Sequence, residues 1–379
     1  VVIYVDYLLV LSADGANHDW FESIMKEEFK ELSVDRDKNK MSYLGMVLDR
    51  QDGCFKISMT NYIKGILELH GNPEKRYATP AKMDFFEDSN DVELAANKEH
   101  FHTIVAKLLY LAKRARPDIL LAVQYLCTKV KSPTTQDEKR LERIMGYLAG
   151  TLHRERVIDA TPIDGVRAYV DAAFACHSDA KSQTGAIICI GKTSVMEIAK
   201  KQKIVTKDST EAELVALSDM IPECDMVYDF LTNIGYDLPA PTVYQDNTST
   251  ISLVTTSKAR MRTKHLRARQ SSVREQWEED ELVIEYINTK EMLADILTKP
   301  LSGKEFHHLA RVILGESDAA QQIHESQVDR GALSVPHAGL GLQEPNLHAV
   351  PRLQGMHKLI RQNFSPGISW CDPVVSPHN

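Results

Sequence analysis

The sequence has few of the features that mark an exported or membrane-spanning chain. Its six cysteines are scattered, with no close pair and no histidine at ligand spacing, so we expect neither a zinc site nor a disulfide framework. Cys127, Cys189 and Cys224 fall in apolar stretches, which predicts reduced thiols buried in the fold. No apolar run has the length of a membrane span, and the N-terminal residues lack the basic start and cleavage site of a signal peptide.

An excess of positive charge is absent as well. The 379 residues carry a formal net charge of -8, which excludes nucleic-acid binding driven by overall charge and leaves it to local basic runs. Taken alone, each such run is more typical of a solvated surface than of a binding site. The runs consist of Lys200, Lys201, Lys203 and Lys207, and of Arg260, Arg262, Lys264, His265, Arg267 and Arg269.

What is present is an ordinary globular composition in a chain that is long enough for two or three domains. Hydrophobic residues make up 43% of the chain and charged residues 26%, both ordinary values. The first residue is Val1 rather than Met, from which we expect the chain to be a piece of a longer protein.

The first half of the sequence predicts hairpins followed by helices. Residues 1–11 are apolar and β-branched and are interrupted at Asp6, which predicts a hairpin with an acid at its turn. That acid is either a turn former or a metal ligand. Asp52-Gly53 predicts a second hairpin turn. The other predicted elements are a helix at about 18–32, strands at 41–48 and 54–58, a helix at 60–70, and helices between 98 and 149, one starting at Pro117 and one spanning 135–148.

The second half predicts an α/β fold with a mixed five-stranded sheet. A polar segment at 151–165 marks a domain boundary before it. We expect Pro222 to kink or restart the helix that begins at Ser209, since proline in a helix interior costs roughly 3 kcal/mol. The predicted strands are 166–171, 185–190, 193–198, 242–245 and 282–287, with a basic helix at 263–279 and a last helical region from Met292.

Four acids in this half each lie at the end of an apolar strand or in the first turn of a helix. They are Asp171, Glu213, Asp246 and Asp295. If they converge, they can hold two divalent cations, which prefer oxygen ligands and can catalyse phosphodiester hydrolysis. The spacing does not prove convergence, and an acid such as Glu211 or Glu213 also suits a helix start by complementing the helix dipole.

The second half resembles the ribonuclease H domain of copia-type LTR retrotransposon Pol polyproteins over about 140 residues. The matching motifs are Tyr169-Val170-Asp171-Ala172, Lys181-Ser182-Gln183-Thr184-Gly185, Ser209-Thr210-Glu211-Ala212-Glu213, Asp246-Asn247, Arg262-Thr263-Lys264-His265, and Thr289-Lys290-Glu291 with Leu293-Ala294-Asp295-Ile296-Leu297-Thr298-Lys299-Pro300-Leu301.

This resemblance implies a function for the four acids. Asp171, Glu213, Asp246 and Asp295 would be the catalytic ligands of two Mg2+ (or Mn2+) ions, and the substrate would be an RNA·DNA hybrid. Lys200, Lys201, Lys203 and Lys264 are the predicted nucleic-acid contacts. The implied partners are the hybrid and the remainder of the Pol polyprotein, with no membrane, and an intracellular location in the cytoplasm or nucleus is expected.

The first half is similar to the C-terminal part of the reverse transcriptase of the same polyproteins. The matching motifs are Tyr4-Val5-Asp6, Tyr43-Leu44-Gly45-Met46, Leu109-Tyr110-Leu111-Ala112, Arg116-Pro117-Asp118-Ile119 and Gly146-Tyr147-Leu148. Asp6 would be a remnant of the polymerase site. Tyr7 stands where the family has a second aspartate, and the strand that carries the other polymerase acid is missing, so we expect no polymerase activity.

The resemblance divides the chain into four parts. These are a truncated palm region and following hairpin and helix (1–80), a helical thumb and connection region (81–160), a ribonuclease H-like domain (161–315) and a disordered tail (316–379). Ala173 replaces an acid usual in the family, and Arg267 stands where an acid usually follows. The alternatives to an active nuclease are therefore a catalytically inactive retrotransposon remnant and a nucleic-acid-binding module.

Overall fold

The computed structural model describes residues 1–316, apart from 5–6, 13, 30, 38, 52, 90–92, 96, 257–260 and 262–263. Several predictions concern residues outside this described part. They include the acid at Asp6, the turn residue Asp52, the basic residues Arg260 and Arg262, and the tail beyond residue 316.

The chain begins with two antiparallel strands, β1 (Val2–Tyr4) and β2 (Tyr7–Leu9), as predicted. Helix α1 (Gly15–Glu28) follows and ends four residues earlier than expected. Its N-cap Asp14 accepts a hydrogen bond from the Ala16 amide at 2.9 Å, satisfying one of the free amides at the helix start.

The prediction of one strand at 41–48 is wrong, because this segment belongs to two strands of a second sheet. Two strands, β3 (Lys40–Tyr43) and β4 (Met46–Gln51), occupy that segment and pair antiparallel through a two-residue turn. Leu44 and Gly45 both have positive φ, 52° and 75°, the backbone of a tight hairpin turn. Strand β5 (Cys54–Ser58) pairs antiparallel with β4, from Gln51 beside Cys54 to Val47 beside Ser58.

Helices fill the next part of the chain at the predicted places, although the last of them ends two residues later than expected. They are α2 (Thr60–His70), α3 (Lys98–Arg114), α4 (Leu120–Cys127) preceded by a 3-10 turn at Pro117–Ile119, and α5 (Thr135–Gly150). The Thr134 side chain and the Asp137 carboxylate cap each other's backbone amides at the start of α5. Strand β6 (Arg156–Ile158), which the sequence did not predict, then pairs with β5 inside the predicted boundary segment.

The second half forms the predicted mixed five-stranded sheet. Strands β7 (Val166–Ala173), β8 (Gln183–Ile190) and β9 (Thr193–Lys201) are antiparallel neighbours. Strand β10 (Thr242–Gln245) runs parallel to β7 and to β11 (Val283–Tyr286), which gives the order β11-β10-β7-β8-β9. The α/β class and the mixed sheet are therefore confirmed.

The helices of this half are α6 (Ser209–Asn233), α7 (Thr248–Thr255), α8 (Lys264–Glu278) and α9 (Gly303–Ile313). The predicted restart at Pro222 is wrong, because α6 continues through Pro222 to Asn233.

The two faces of the five-stranded sheet pack into different apolar cores. Residues of α6, α7 and α8 pack against Val166, Ala168 and Val170 of β7. On the other face, a larger core joins Tyr169 and Ile187 to helices α3–α5 and α9. That core includes the 3-10 segment Leu293–Leu297, so the segment carrying Asp295 packs against the helices of the first half.

The predicted domain divisions stay predictions, although Glu316 of the predicted tail is described and pairs with Arg154 at 2.7 Å. None of the helices in the described part of the chain combines the length and apolarity that a membrane crossing requires.

Candidate functional site

Two of the predicted acids meet at one edge of the sheet because β7 and β10 run parallel. Tyr169 lies beside Tyr244 in the ladder, and Asp171 and Asp246 each follow two residues later. Glu213 joins them from helix α6, and ligand oxygens of the three carboxylates all lie within 4.8 Å of one another.

The start of α6 determines which of its two acids enters the site. Asp208 is the N-cap and accepts a hydrogen bond from the Glu211 amide at 2.9 Å. The Glu211 carboxylate accepts a hydrogen bond from the Lys207 backbone amide at 2.9 Å. It therefore stabilises the backbone just before the helix. Glu213, two residues later, is buried with 4% of its surface exposed, and Gln245 donates to its Oε2 at 3.2 Å.

The three acids repel one another across a short distance. Burial raises the pKa of Glu213 well above its ordinary value, and the nearby carboxylates of Asp171 and Asp246 raise it further. The hydrogen bonds that reach this group come from neutral donors, which relieve little of its charge. Thr298 donates to Asp171 Oδ2, Gln245 to Glu213 Oε2, and Thr289 to Asp246 Oδ2.

Asp295 lies next to Asp171 but is not one of the three acids within 4.8 Å. It is 5% exposed, and the Lys299 ammonium lies 2.8 Å from its Oδ1. Burial, followed by the neighbouring Asp171 charge, raises the pKa of Asp295 to about 7. The structure thus gathers all four predicted acids in one region and gives the fourth a cationic partner.

Gly185 allows the Asp295 segment to approach the sheet closely. It pairs with Asp171 in the β7–β8 ladder. A Cβ atom at this position would lie 2.5 Å from Thr298 Cγ2 and 2.9 Å from the Ala294 carbonyl oxygen. The glycine is therefore required by packing rather than by its backbone conformation.

Five supporting residues of the site were not predicted from the sequence. Four of them lie inside the motifs quoted above, so their presence was visible although their contacts were not: Gly185, Thr289, Thr298 and Lys299. Gln245 had no sequence signal other than its place directly before Asp246.

The predicted nucleic-acid contacts divide into two pairs. The Lys200 ammonium lies 3.2 Å from Asp219, and the Lys201 ammonium lies 2.8 Å from Asp179. Lys203 and Lys264 are exposed. Ion pairs near the protein surface contribute little to stability. Lys200 and Lys201 can therefore leave Asp219 and Asp179 and contact a phosphate instead.

Carboxylate oxygens without a cationic partner suit a divalent hard cation. Three such groups within 4.8 Å, each accepting a hydrogen bond from a neutral side chain, provide oxygen ligands and a concentration of negative charge. The donor set contains oxygens only, which favours Mg2+ or Mn2+ over a softer metal.

Comparisons with known proteins gave sequence matches over most of the chain. No known family profile matches the chain. The Pol polyprotein of transposon RE1 from Arabidopsis thaliana is 28% identical over 321 residues, covering 83% of this chain and 21% of that protein. The Pol polyprotein of transposon TNT 1-94 from Nicotiana tabacum is 28% identical over 328 residues, covering 83% of this chain and 24% of that protein.

Two solved structures are also similar in part. LC11-RNase H1 isolated from compost has 17% identity and a TM-score of 0.29, covering 36% of this chain and 93% of that chain. A foamy viral protease-reverse transcriptase in complex with an RNA/DNA hybrid has 11% identity and a TM-score of 0.42, covering 77% of this chain and 36% of that chain. At these TM-scores the likenesses carry no argument about function. From the sequence matches, the chain is a relative of the copia-type retrotransposon Pol polyproteins and spans about a fifth of the length of those it matches.

Proposed function

We propose that this chain is a ribonuclease H-type endonuclease that hydrolyses the RNA strand of RNA·DNA hybrids with two divalent ions. The observation that carries the proposal is the group formed by Asp171, Glu213 and Asp246, whose ligand oxygens lie within 4.8 Å of one another. A charge concentration of this kind destabilises a fold unless a cation relieves it, which favours a functional role over a structural one.

Asp171, Glu213, Asp246 and Asp295 would hold Mg2+ (or Mn2+) in this proposal. When bound, the two ions would activate a water molecule and stabilise the leaving oxygen of the phosphodiester. Each carboxylate of the three clustered acids accepts a hydrogen bond from a neutral side chain, namely that of Thr298, Gln245 or Thr289. These hydrogen bonds orient the carboxylates before any metal ion binds.

A hybrid is recognised through its backbone and the 2′-hydroxyl groups of the RNA rather than through base edges. Exposed lysines suffice for the phosphate contacts. The candidates remain Lys200, Lys201, Lys203 and Lys264, of which Lys200, Lys203 and Lys264 are exposed. The relatives are Pol polyproteins, so the remainder of such a polyprotein is the proposed protein partner.

Polymerase activity is not part of the proposed function. Polymerisation needs carboxylates from separate strands to hold its metal pair. Tyr7, at the start of β2, stands where the family has the second aspartate of the hairpin, and its bulky neutral side chain cannot replace a ligand.

The test is cleavage by the whole chain of an RNA·DNA hybrid labelled on the RNA strand. We expect cuts in the RNA with MgCl2 or MnCl2, none with EDTA, and no cuts in the same RNA when it is single-stranded. A folded chain that binds the hybrid and cuts nothing in either metal would support the binding module or the inactive remnant instead.

A further inference from the structure

The fourth acid already has a cation in this structure, and that cation is a side chain. The Lys299 ammonium lies 2.8 Å from Asp295 Oδ1. The other three acids receive hydrogen bonds from the neutral groups of Thr298, Gln245 and Thr289. The site is therefore asymmetric in charge before any metal binds.

The backbone after Asp295 places the lysine there. The amides of Thr298 and Lys299 both donate to the Asp295 carbonyl oxygen at 3.2 Å, which makes one helical turn. In such a turn, side chains four residues apart lie on the same side. The Asp295 carboxylate is only 7% exposed, whereas the Lys299 side chain is 41% exposed. The ammonium is thus at the open side of a buried acid and can move into solvent.

The other acids lie close to this ion pair. Thr298 ties Asp171 to the Asp295 segment, and ligand oxygens of Glu213 and Asp246 lie within 4.8 Å of an oxygen of Asp171. The Lys299 ammonium is therefore attracted to the same group of oxygens that a second divalent ion would need.

We propose that Lys299 holds Asp295 in the absence of a second metal ion and must be displaced from it when that ion binds, so that it sets the concentration at which the second ion enters. This inference rests on the proposed function. A cationic partner offsets the cost of burying the Asp295 carboxylate, and the ammonium supplies that partner until the second divalent ion binds. A divalent ion carries twice the charge, so it can replace the ammonium at the cost of breaking this ion pair.

The inference can be tested without relying on activity. The substrate-free whole chain is titrated with MnCl2 in a calorimeter, which measures the dissociation constant of each bound ion. Lys299→Met keeps most of the side-chain length and removes the charge. We expect its second dissociation constant to fall about tenfold, equivalent to about 1.4 kcal/mol, with the first unchanged. Lys299→Arg should behave as the wild type does. Lys304→Met is the matched control, since Lys304 is exposed on α9.

The outcomes separate the inference from the proposed function. A second dissociation constant in Lys299→Met that equals or exceeds the wild-type value overturns the inference alone. If the wild type binds no Mn2+ at all, both the inference and the proposed function fail.

Asp295→Asn gives an independent reading should Lys299→Met not fold. That variant should keep the first ion, which the three clustered acids bind, and lose the second. Retention of two ions by Asp295→Asn would show that the Asp295–Lys299 pair does not control the second position.

Discussion

Thr298 Oγ1 donates a hydrogen bond to Asp171 Oδ2, which ties the strand of the first acid to the segment of the fourth. Thr298 is fully buried, and its methyl group packs over Gly185, the ladder partner of Asp171. The relative position of Asp171 and Asp295 therefore depends on a hydroxyl group and on the absence of a side chain at residue 185.

Substitution of Gly185 by alanine tests this packing. The new Cβ would lie 2.5 Å from Thr298 Cγ2, so the segment Leu293–Leu297 must shift away from the sheet. We expect Gly185→Ala to lower the free energy of unfolding by about 1–3 kcal/mol, measured by urea denaturation, and to reduce hybrid cleavage. Gly65→Ala in α2 is the control, because a Cβ there meets nothing within 4 Å. Equal stability of the Gly185→Ala variant and the wild type would contradict the packing argument.

The raised pKa of Glu213 predicts that its charge destabilises the metal-free fold. We expect Glu213→Gln to raise the free energy of unfolding in EDTA at pH 8 by about 1 kcal/mol or more, since one pKa unit corresponds to about 1.4 kcal/mol. The same variant should lose the stabilisation that Mg2+ gives the wild type.

The pH dependence of that difference follows from the sign of the shift. Glu213 binds its proton more tightly in the folded state than in the unfolded state, so its penalty is full above the raised folded pKa. The penalty declines as pH falls toward the ordinary glutamate value of about 4.3 and then disappears. Thermal melts of both proteins across this range measure it, and a gap that widens toward low pH would contradict the assignment.

The helices of the first half should stabilise the nuclease site. Leu293, Ile296 and Leu297 pack in the core shared with α3–α5. A fragment beginning at residue 161 exposes these side chains, each worth about 1.5–3 kcal/mol when buried. We expect it to unfold at a lower urea concentration than the whole chain and to cut hybrids poorly. A fragment that matches the whole chain in both measurements would show that the shared core is dispensable.

Primer extension on an RNA template with MgCl2 tests the loss of polymerase activity. We expect no product above background, because Tyr7 offers no carboxylate. Nucleotide incorporation that Asp6→Asn abolishes would show that the polymerase site works despite Tyr7.

Local patterns in the sequence were enough to predict most elements. The helix expected to begin at Ser209 is α6, which starts at that residue. The choice of Glu213 over Glu211 as a ligand came from the family resemblance rather than from the local pattern. Apolar runs predicted all five strands of the main sheet, because buried strands are continuous in sequence.

Features that depend on distant residues were not predictable in this way. Strand β6 is three residues long and is defined by its pairing with β5, about a hundred positions earlier. Leu44 adopts a positive φ that its residue type does not suggest. The Lys299 contact with Asp295 and the Thr298 contact with Asp171 require the folded segment, so the motif showed these residues without their partners.

The most direct test of the nuclease compares hybrid cleavage by Asp246→Asn and Glu211→Gln in the whole chain. Asp246→Asn keeps the shape of the side chain and removes a charge that the divalent ions need, so we predict a rate lower by orders of magnitude with the fold intact. Glu211→Gln should cut at close to the wild-type rate, because the Glu211 carboxylate accepts the Lys207 amide at the helix start. Loss of cleavage in Glu211→Gln with retention in Asp246→Asn and Glu213→Gln would contradict the assigned ligands.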